Sequence, residues 1–583
     1  MSYAEKVVAV GVEPVQAIGD ADSYITDDPG VAGADFVIIP ITKGTPRVST
    51  AGFFALDDMV VRSSTNAYAI IGKTTEWAPG SDDGALLSHQ ITYATYVGLK
   101  RIMAPSPGPD TPAAEFAREL MQRITGDHAI EALLVRTDAD QASWRRWRRV
   151  RDMCGHSRAL EIALVLAGGD DDVDRWRPEP VKLVIVPSAM FVLNDAGHPV
   201  LRRSDQRIVR ELTDIGAAVA VQHEGDAGRH VSYLRYLSRP TDRDTAALYS
   251  DAYRDVLQVP LQPLMDHLES DTYATFEADL PKYDAYETAI AKALLGSSSS
   301  SSSKEAPLVV VAGAGRGPLV ARVLAAAARA ERPVRVVALE KNPGAMVELQ
   351  RRNQLEWRGA VELVFGDMRS HEPAEMADIL VSELLGSFGD NELAPECMDA
   401  AVRRLLRPAG VCIPCSYAAY LAPLSSSVLH ARAAQYSQAH GLETPYVVNL
   451  HAARRLAASE RMWQFDHHVQ HPEPMQFARQ KTVEFAVDGP AVVHGFAGYF
   501  DAVLYADVRL SIRPEDHTAD MHSWFPMFFP LTVPLNVEHG EGVRASVWRR
   551  CAGRRVWYEW VAETRAAASI VHNVNGHQYW IGQ

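Results

Sequence analysis

The sequence predicts an α/β multidomain protein with an N-terminal (β/α)8 TIM-like barrel, a Rossmann-like ligand-binding domain and a C-terminal antiparallel β-barrel. Three observations carry this. Short apolar runs alternate with amphipathic stretches up to about residue 265, the strand and helix rhythm of a parallel α/β fold. A glycine loop then separates a buried strand from an alanine-rich helix, and acids close the strands around it. From about residue 416 the pattern changes to the alternation expected of antiparallel strands.

A chain of 583 residues is too long for one core and divides into domains that each bury their own interior. Hydrophobic residues at 47% and charged residues at 22% are ordinary for a soluble enzyme. The net charge of -15 argues against nucleic acid or an anionic membrane as the main partner and suits basic peptides or proteins. Cys154, Cys397, Cys412, Cys415 and Cys551 are too scattered for a disulfide framework, which points to a reducing compartment. The opening MSYAEKVVAVGVEPVQ lacks a basic region followed by an apolar core, and no apolar run approaches the ~20 residues of a membrane span. The expectation is a cytoplasmic location with access to the nucleus left open.

Residues 1–265 form the expected barrel. Its candidate strands lie at 36–39, 68–72, 101–104, 132–135, 160–166, 183–186, 217–221 and 233–237, with helical readings open for the last of them. The strand ends carry no convincing set of paired acids, histidines or metal-ligand spacing, so a scaffold or interaction role is expected. WRRWRRVR at 144–151 reads as a solvated arginine face over inward tryptophans, and GGDDDVD at 168–174 as an acidic loop without calcium-loop spacing.

Residues 266–303 read as a linker with a helix at 283–295. The aromatics Tyr273, Phe276, Tyr283 and Tyr286 stripe this segment and by default pack into a core, while the tract from Ser297 to Ser303 reads as a flexible surface loop.

Residues 304–415 give the ligand-binding domain. LVVVA at 308–312 is a buried strand, and VRVVALE, VELVFGDM and DILVSE supply three more. Gly313, Gly315 and Gly317 follow the first strand in a GxGxG spacing ahead of Pro318, which departs from the GxGxxG of pyrophosphate-binding folds. Glu340 closes the second strand, where an acid can accept hydrogen bonds from ribose hydroxyls, and Asp367 closes the third. Either acid alone fits a helix cap or a loop. Their common rim favours an adenosyl ligand without phosphates, of which S-adenosylmethionine is the commonest.

Two further acids stand out. Glu383 interrupts an apolar run at the end of the fourth strand, and Glu392 follows beyond a turn rich in glycine and asparagine. Two surface glutamates in a loop would explain them; if instead they share one buried rim, they require a cation, and arginine fits best because its planar guanidinium accepts bidentate carboxylates.

Residues 416–583 contain alternating runs at 492–505, 507–514, 543–550 and 555–563, expected to form a barrel or sandwich. The irregular insertion near 425–475 is a candidate dimerisation arm. No metal site is expected. Cys412 and Cys415 are a lone CxxC, Asp466, His467, His468 and His471 lack a partner cluster, and Cys397 has no evident thiolate-stabilising neighbour.

SELLGSFGDNELAPEC, with GAGRGPLV, EKNP, GDMR, PKYDAYETAI, HGFAGYF, SWFP and LQPLMDHLES, closely resembles the type II, symmetric-dimethylating protein arginine methyltransferases over essentially the full length. The resemblance implies the three-domain architecture and S-adenosylmethionine as cofactor, released as S-adenosylhomocysteine. It implies Glu383 and Glu392 as the catalytic pair, Phe276 as the residue steering product symmetry, and Trp524 as the aromatic facing it. It also implies cofactor contacts from Tyr273, Lys282, Tyr283, Gly313, Gly315, Arg316, Gly317, Pro318, Leu319, Glu340, Lys341, Asp367 and Met368. Implied partners are basic Arg/Gly-rich protein substrates, further copies of the chain in a homo-oligomer and, as in animal members, a WD40 propeller on the N-terminal barrel. The chain departs from the family at Gly389, where alanine is usual, at His522, where phenylalanine is usual, and in its serine tract. An inactive binding module and a small-molecule methyltransferase are the rival readings, opposed respectively by the intact site and by the second glutamate.

Overall fold

The computed structural model describes residues 10–14, 35–40, 69–73, 91–92, 101–105, 107, 111–125, 132–168, 173–223, 227–239, 252–296, 306–436, 441–467 and 475–583. The tract from Ser297 to Ser303, residues 169–172, His468 and His471 lie outside the described residues. The chain divides into two compact units, Met1–Arg243 with Ala452–Arg454, and Asp244–His451 with Arg455–Gln583.

The first unit is a closed parallel barrel. Its strands are β1 (Val10–Pro14), β2 (Phe36–Pro40), β3 (Ala69–Lys73), β4 (Arg101–Ala104), β5 (Ala132–Asp138), β6 (Leu160–Val165), β7 (Val181–Pro187) and β8 (Ala218–His223). Each pairs with its sequence neighbour from β1 to β7; β8 sits between β7 and β1 and completes the ring. Alternate residues such as Ala163 and Val165, or Leu183 and Ile185, fill one core with Ile38, Leu134 and Ala220. That alternation is what a packed barrel interior demands of each strand.

Two expectations about this unit need correction. Residues 233–237 are the end of a helix, Gly228–Leu237, because Val231, Leu234 and Leu237 bury one face at helical spacing. The remaining strand is β1, whose sequence VGVEP is too diluted by glycine, glutamate and proline to stand out. The run at 144–151 also departs from a wholly solvated arginine face. In the helix Gln141–Met153 the carboxylate of Asp140 accepts from the Ser143 amide at 2.8 Å as N-cap, and Arg145 and Arg149 are exposed. Arg151, however, is buried with Trp144 and Trp147. All three donate to the buried carboxylate of Glu179, at 3.0, 3.1 and 3.0 Å respectively.

The second unit begins with the helices Ser270–Glu277 and Leu280–Gly296. A parallel sheet follows, built from β9 (Leu308–Ala312), β10 (Arg335–Glu340), β11 (Val361–Phe365), β12 (Ala377–Val381) and β13 (Leu406–Ile413) in the order β11-β10-β9-β12-β13. The chain moves outward from β9 to β11 and then returns to β12 on the other side. This reversal opens a crevice at the carboxyl ends of β9 and β12, the place where such sheets bind ligands.

The β-rich remainder consists of two antiparallel sheets. In one, β17 (Ala491–Tyr505) pairs with β14 (Ser416–Ser425) and β18 (Met527–Val537), and β15 (Glu460–Asp466) pairs with β14. In the other, β19 (Gly542–Ala552) lies between β16 (Arg479–Ala486) and β20 (Arg555–Glu563). Phe529 of β18 meets Tyr558 and Trp560 of β20 edge to face at 5.9 and 5.5 Å, so the two sheets share one aromatic core.

Removing the acceptor at the centre of the barrel's polar cluster strands Arg151 and two indole N–H groups. Glu179→Ala is expected to destabilise the protein by about 3–5 kcal/mol, seen as a lower midpoint in urea denaturation followed by tryptophan fluorescence.

Candidate active site

The glycine loop folds back over the sheet. The amides of Gly313 and Ala314 both donate to the Leu339 carbonyl, at 2.9 and 3.0 Å, which turns the chain across the end of β10. Gly315 has φ +55°, and a Cβ there would lie 3.0 Å from the Tyr273 ring, so loop and helix could not approach as closely with any other residue. Pro318 then opens the helix Pro318–Arg329 at a position that needs no backbone donor.

Glu340 holds this loop in place. Its carboxylate accepts from the Gly315 amide at 2.7 Å and the Asn342 amide at 2.6 Å, which leaves lone pairs on both oxygens for a further donor. Asp367 accepts from the Arg369 guanidinium at 2.7 Å; burial alone would raise its carboxyl, yet Arg369 holds it below the usual range. The Lys341 ammonium donates to the Leu264 carbonyl at 2.8 Å.

These groups line a cavity at the carboxyl edge of the sheet. Tyr273, Tyr283, Gly313, Gly315, Pro318 and Leu319 form one side, with Glu340, Lys341, Asp367 and Met368 at the strand ends. Leu264, Leu268 and Leu339 complete its apolar wall. Sequence reasoning missed these leucines because an apolar residue carries no signature that separates a ligand wall from a core. Cys397 also lines the cavity. Burial pushes its thiol up to about 12, so it is no thiolate at neutral pH.

A second cavity lies beyond the first, and Phe276, Glu383 and Glu392 line both. Trp524, Lys282 and His522 border the second alone. Three residues implied as cofactor contacts, Lys282, Arg316 and Gly317, do not line the first cavity. Lys282 lines the second cavity; its buried ammonium is 3.7 Å from Glu383 and 5.4, 4.7 and 4.9 Å from the rings of Phe276, Tyr283 and Trp524. Arg316 turns out of the loop to donate to Ser270 and pair with Glu277. Gly317 packs under the loop against Trp357 and Leu349. The aromatic stripe is thus no uniform core. Tyr286 is fully buried and donates to the Ser382 carbonyl at 3.1 Å, while Tyr273, Phe276 and Tyr283 face ligand space.

Glu383 and Glu392 belong to a hairpin rather than to a solvated loop. Gly386 and Gly389 bridge its turn, and the Asn391 side chain accepts from the Phe388 amide at 2.7 Å. Phe388 at the tip is fully buried among Trp463, Phe529 and Tyr558, at ring distances of 5.6, 5.2 and 5.6 Å. The motif HGFAGYF makes room for it, since a Cβ on Gly498 would come within 2.7 Å of that ring. Trp524 is fixed from the same hairpin by donating to the Leu385 carbonyl at 2.7 Å, and Phe500 meets its ring edge-on at 5.1 Å.

Removal from water, and then the charge of Glu383, raise the Glu392 carboxyl well above the ordinary carboxylate range, against the opposing pull of Lys282. Burial and Glu383 likewise keep the Tyr283 hydroxyl neutral. Two carboxylates in a water-poor junction flanked by aromatic faces form a receptor for a planar cation. Of the other candidates, His467 is buried and within 3.0 Å of the Tyr417 hydroxyl, and the Cys415 thiol donates to the Cys412 carbonyl. Among the described residues no cluster of His, Cys, Asp and Glu has the form of a metal site.

Comparison with known families accounts for nearly the whole chain. Residues 33–242 match the PRMT5 TIM barrel domain, 244–413 the PRMT5 arginine-N-methyltransferase domain and 416–581 the PRMT5 oligomerisation domain, the last of which supports an oligomer. Protein arginine N-methyltransferase 5 of Oryza sativa subsp. japonica is 36% identical, the match covering 94% of this chain and 94% of the relative. The protein of that name from Xenopus laevis is 35% identical, covering 94% and 95%, and protein arginine N-methyltransferase skb1 of Schizosaccharomyces pombe is 34% identical, covering 90% and 91%. With the double-glutamate hairpin at the edge of its parallel sheet, the chain belongs to the protein arginine N-methyltransferase 5 family, the type II arginine methyltransferases that depend on S-adenosylmethionine.

Proposed function

We propose that this chain methylates arginines in Gly/Arg-rich segments of histones, splicing proteins and other RNA-binding proteins, giving monomethylarginine and symmetric dimethylarginine, with Glu383 and Glu392 as the catalytic pair. The observation that carries the assignment is the meeting of two cavities at Glu383, Glu392 and Phe276. A cofactor entering from the sheet edge and an arginine entering from the opposite side would come together there.

S-adenosylmethionine fits the first cavity. Leu264, Leu319, Leu339 and Met368 offer an apolar slot for an adenine ring, Glu340 has acceptor capacity for ribose hydroxyls, and acids at the strand ends disfavour a phosphate. When bound, the cofactor supplies an electrophilic methyl group on a sulfonium. The hairpin carboxylates would grip the guanidinium N–H groups that do not react and aim the remaining nitrogen along the displacement axis. Phe276 and Trp524 would hold the guanidinium plane by cation–π attraction, and their reach to the Lys282 ammonium supports a cationic guest in this cage. Because the arginine pKa lies above ~12, the proton is best released as the new bond forms. A Glu392 oxygen with a raised pKa is suited to accept it.

The N-terminal barrel is assigned to recruitment, with a WD40 propeller as the partner suggested by family resemblance. The protein is assigned to the cytoplasm on its scattered cysteines, with access to the nucleus left open.

Three outcomes are expected. Glu392→Gln lowers methylation of a Gly/Arg-rich peptide by at least about 10²-fold while the protein stays folded and binds cofactor with unchanged affinity; near-parental activity would exclude the assigned role. Substrate binding should release protons at pH values between the free and bound pKa of Glu392, because burial and Glu383 raise that pKa in the free site and an arriving guanidinium favours the ionised form. Calorimetry in buffers of different ionisation enthalpy should record that release in the parent and none in Glu392→Gln. Phe276→Met should widen the cage and allow asymmetric dimethylarginine, and hydrolysis of the product with separation of the two isomers would reveal a purely symmetric outcome if the residue has no such role.

A further inference from the structure

The segment carrying Glu392 is bracketed by a second, wholly buried charge cluster. Arg549 of β19 is fully enclosed. Its Nε lies 2.6 Å from Asp390, and its two terminal nitrogens donate to the Glu396 carboxylate at 2.8 and 2.9 Å. Asp390 stands two residues before Glu392, and Glu396 four residues after it, in the first turn of the helix Ala394–Leu405. Between the two clamped acids the backbone passes through Leu393 at φ 66°, a left-handed conformation that a leucine does not adopt without constraint.

Other donors converge on the same anchor. Tyr558, directly across from Arg549 on β20, donates its hydroxyl to Asp390 at 3.0 Å, and Trp463 of β15 donates its indole N–H at 3.2 Å. Three strands of the β-rich half thus meet on one side chain beside Glu392. An arginine is suited to this task because its rigid fork donates two parallel hydrogen bonds to Glu396 while its charge lies against Asp390, which a lysine ammonium cannot do.

We propose that Arg549 is a positioning residue for methyl transfer: by clamping Asp390 and Glu396 it holds the strained turn that presents Glu392, so the C-terminal sheets set the geometry of the carboxylate pair. This rests on the assignment of Glu392 made above. The clamp touches neither cavity lining the site, so its loss should act on the reaction step and leave cofactor binding intact.

The test uses the full-length protein with Arg549→Lys, which keeps the charge and removes the fork. Steady-state kinetics on a Gly/Arg-rich peptide, calorimetric cofactor titration and the ratio of dimethyl to monomethyl product are compared with the parent. The expected result is a kcat lowered about 10–100-fold, a cofactor Kd within about twofold, and a lower dimethyl fraction, since a loosened carboxylate should fail more often at the second transfer. A folded variant with kcat within about twofold of the parent overturns the proposal, as does a loss that merely follows the fraction of protein unfolded. If Arg549→Lys does not fold, Tyr558→Phe removes one bond to Asp390 and is judged by the same readouts, with a several-fold fall in kcat expected. Glu392→Gln run in parallel separates the two assignments. If it stays active, the role of Glu392 is what fails; if it is inactive while the clamp variants keep their kcat, the clamp fails.

Discussion

Negative charge held away from water is the constraint around which the second unit is arranged. Glu383, Asp390, Glu392 and Glu396 fall within one short, largely buried segment, where each ionised carboxylate needs an opposite charge or donors to offset its lost hydration. The protein answers Asp390 and Glu396 with Arg549. It answers Glu383 with Lys282 at the longer distance of 3.7 Å, and leaves Glu392 with a strongly raised affinity for a proton. One acidic pair is thereby satisfied within the fold, and the other is kept short of positive charge at the junction of two cavities. An arginine side chain is the complement that this deficit specifies.

The same arrangement explains why no single layer contains the site. The parallel sheet contributes the glycine loop, Glu340 and the hairpin; the helix Ser270–Glu277 contributes Tyr273 and Phe276; the β-rich half contributes Trp524 and, through Phe388 and Asp390, the anchor of the hairpin tip. Phe388 packs into the aromatic core where the two antiparallel sheets meet, so the hairpin turn is a structural element of both halves of the unit.

Much of this was readable from residue order because chemistry and period coincided. An acid at the end of an apolar strand, as at Glu340 or Glu383, gives up hydration that apolar packing does not replace, and several on one rim signal a ligand. Conversely, the strand runs at β5, β6 and β7 are long enough to announce themselves. What escaped was of two physical kinds. Residues whose role depends on partners far along the chain, such as Arg549, Asp390 and the Trp144, Trp147, Arg151 and Glu179 cluster, look like ordinary surface charges or core aromatics until the fold brings them together. Residues whose side chains can turn either way, Lys282 and Arg316, pair in the fold with Glu383 and Glu277, partners that residue order does not announce. The apolar run at 233–237 was ambiguous for a simpler reason, since a short run does not reveal its own period.

The way the barrel closes bears on how it comes into being. Val10 of β1 pairs with Val219 of β8, so the first strand made has one flank that only the last can cover. During synthesis that flank is an exposed strand edge, the kind of surface that recruits strands from other chains. Closing it also requires a loop spanning almost the whole unit, which places its formation among the slow, topology-limited steps of folding. The composition of β1, with glycine near its start and proline at its end, then has a second meaning: a strand that is inconspicuous in the sequence is also a poor template for the wrong neighbour while it waits for the right one.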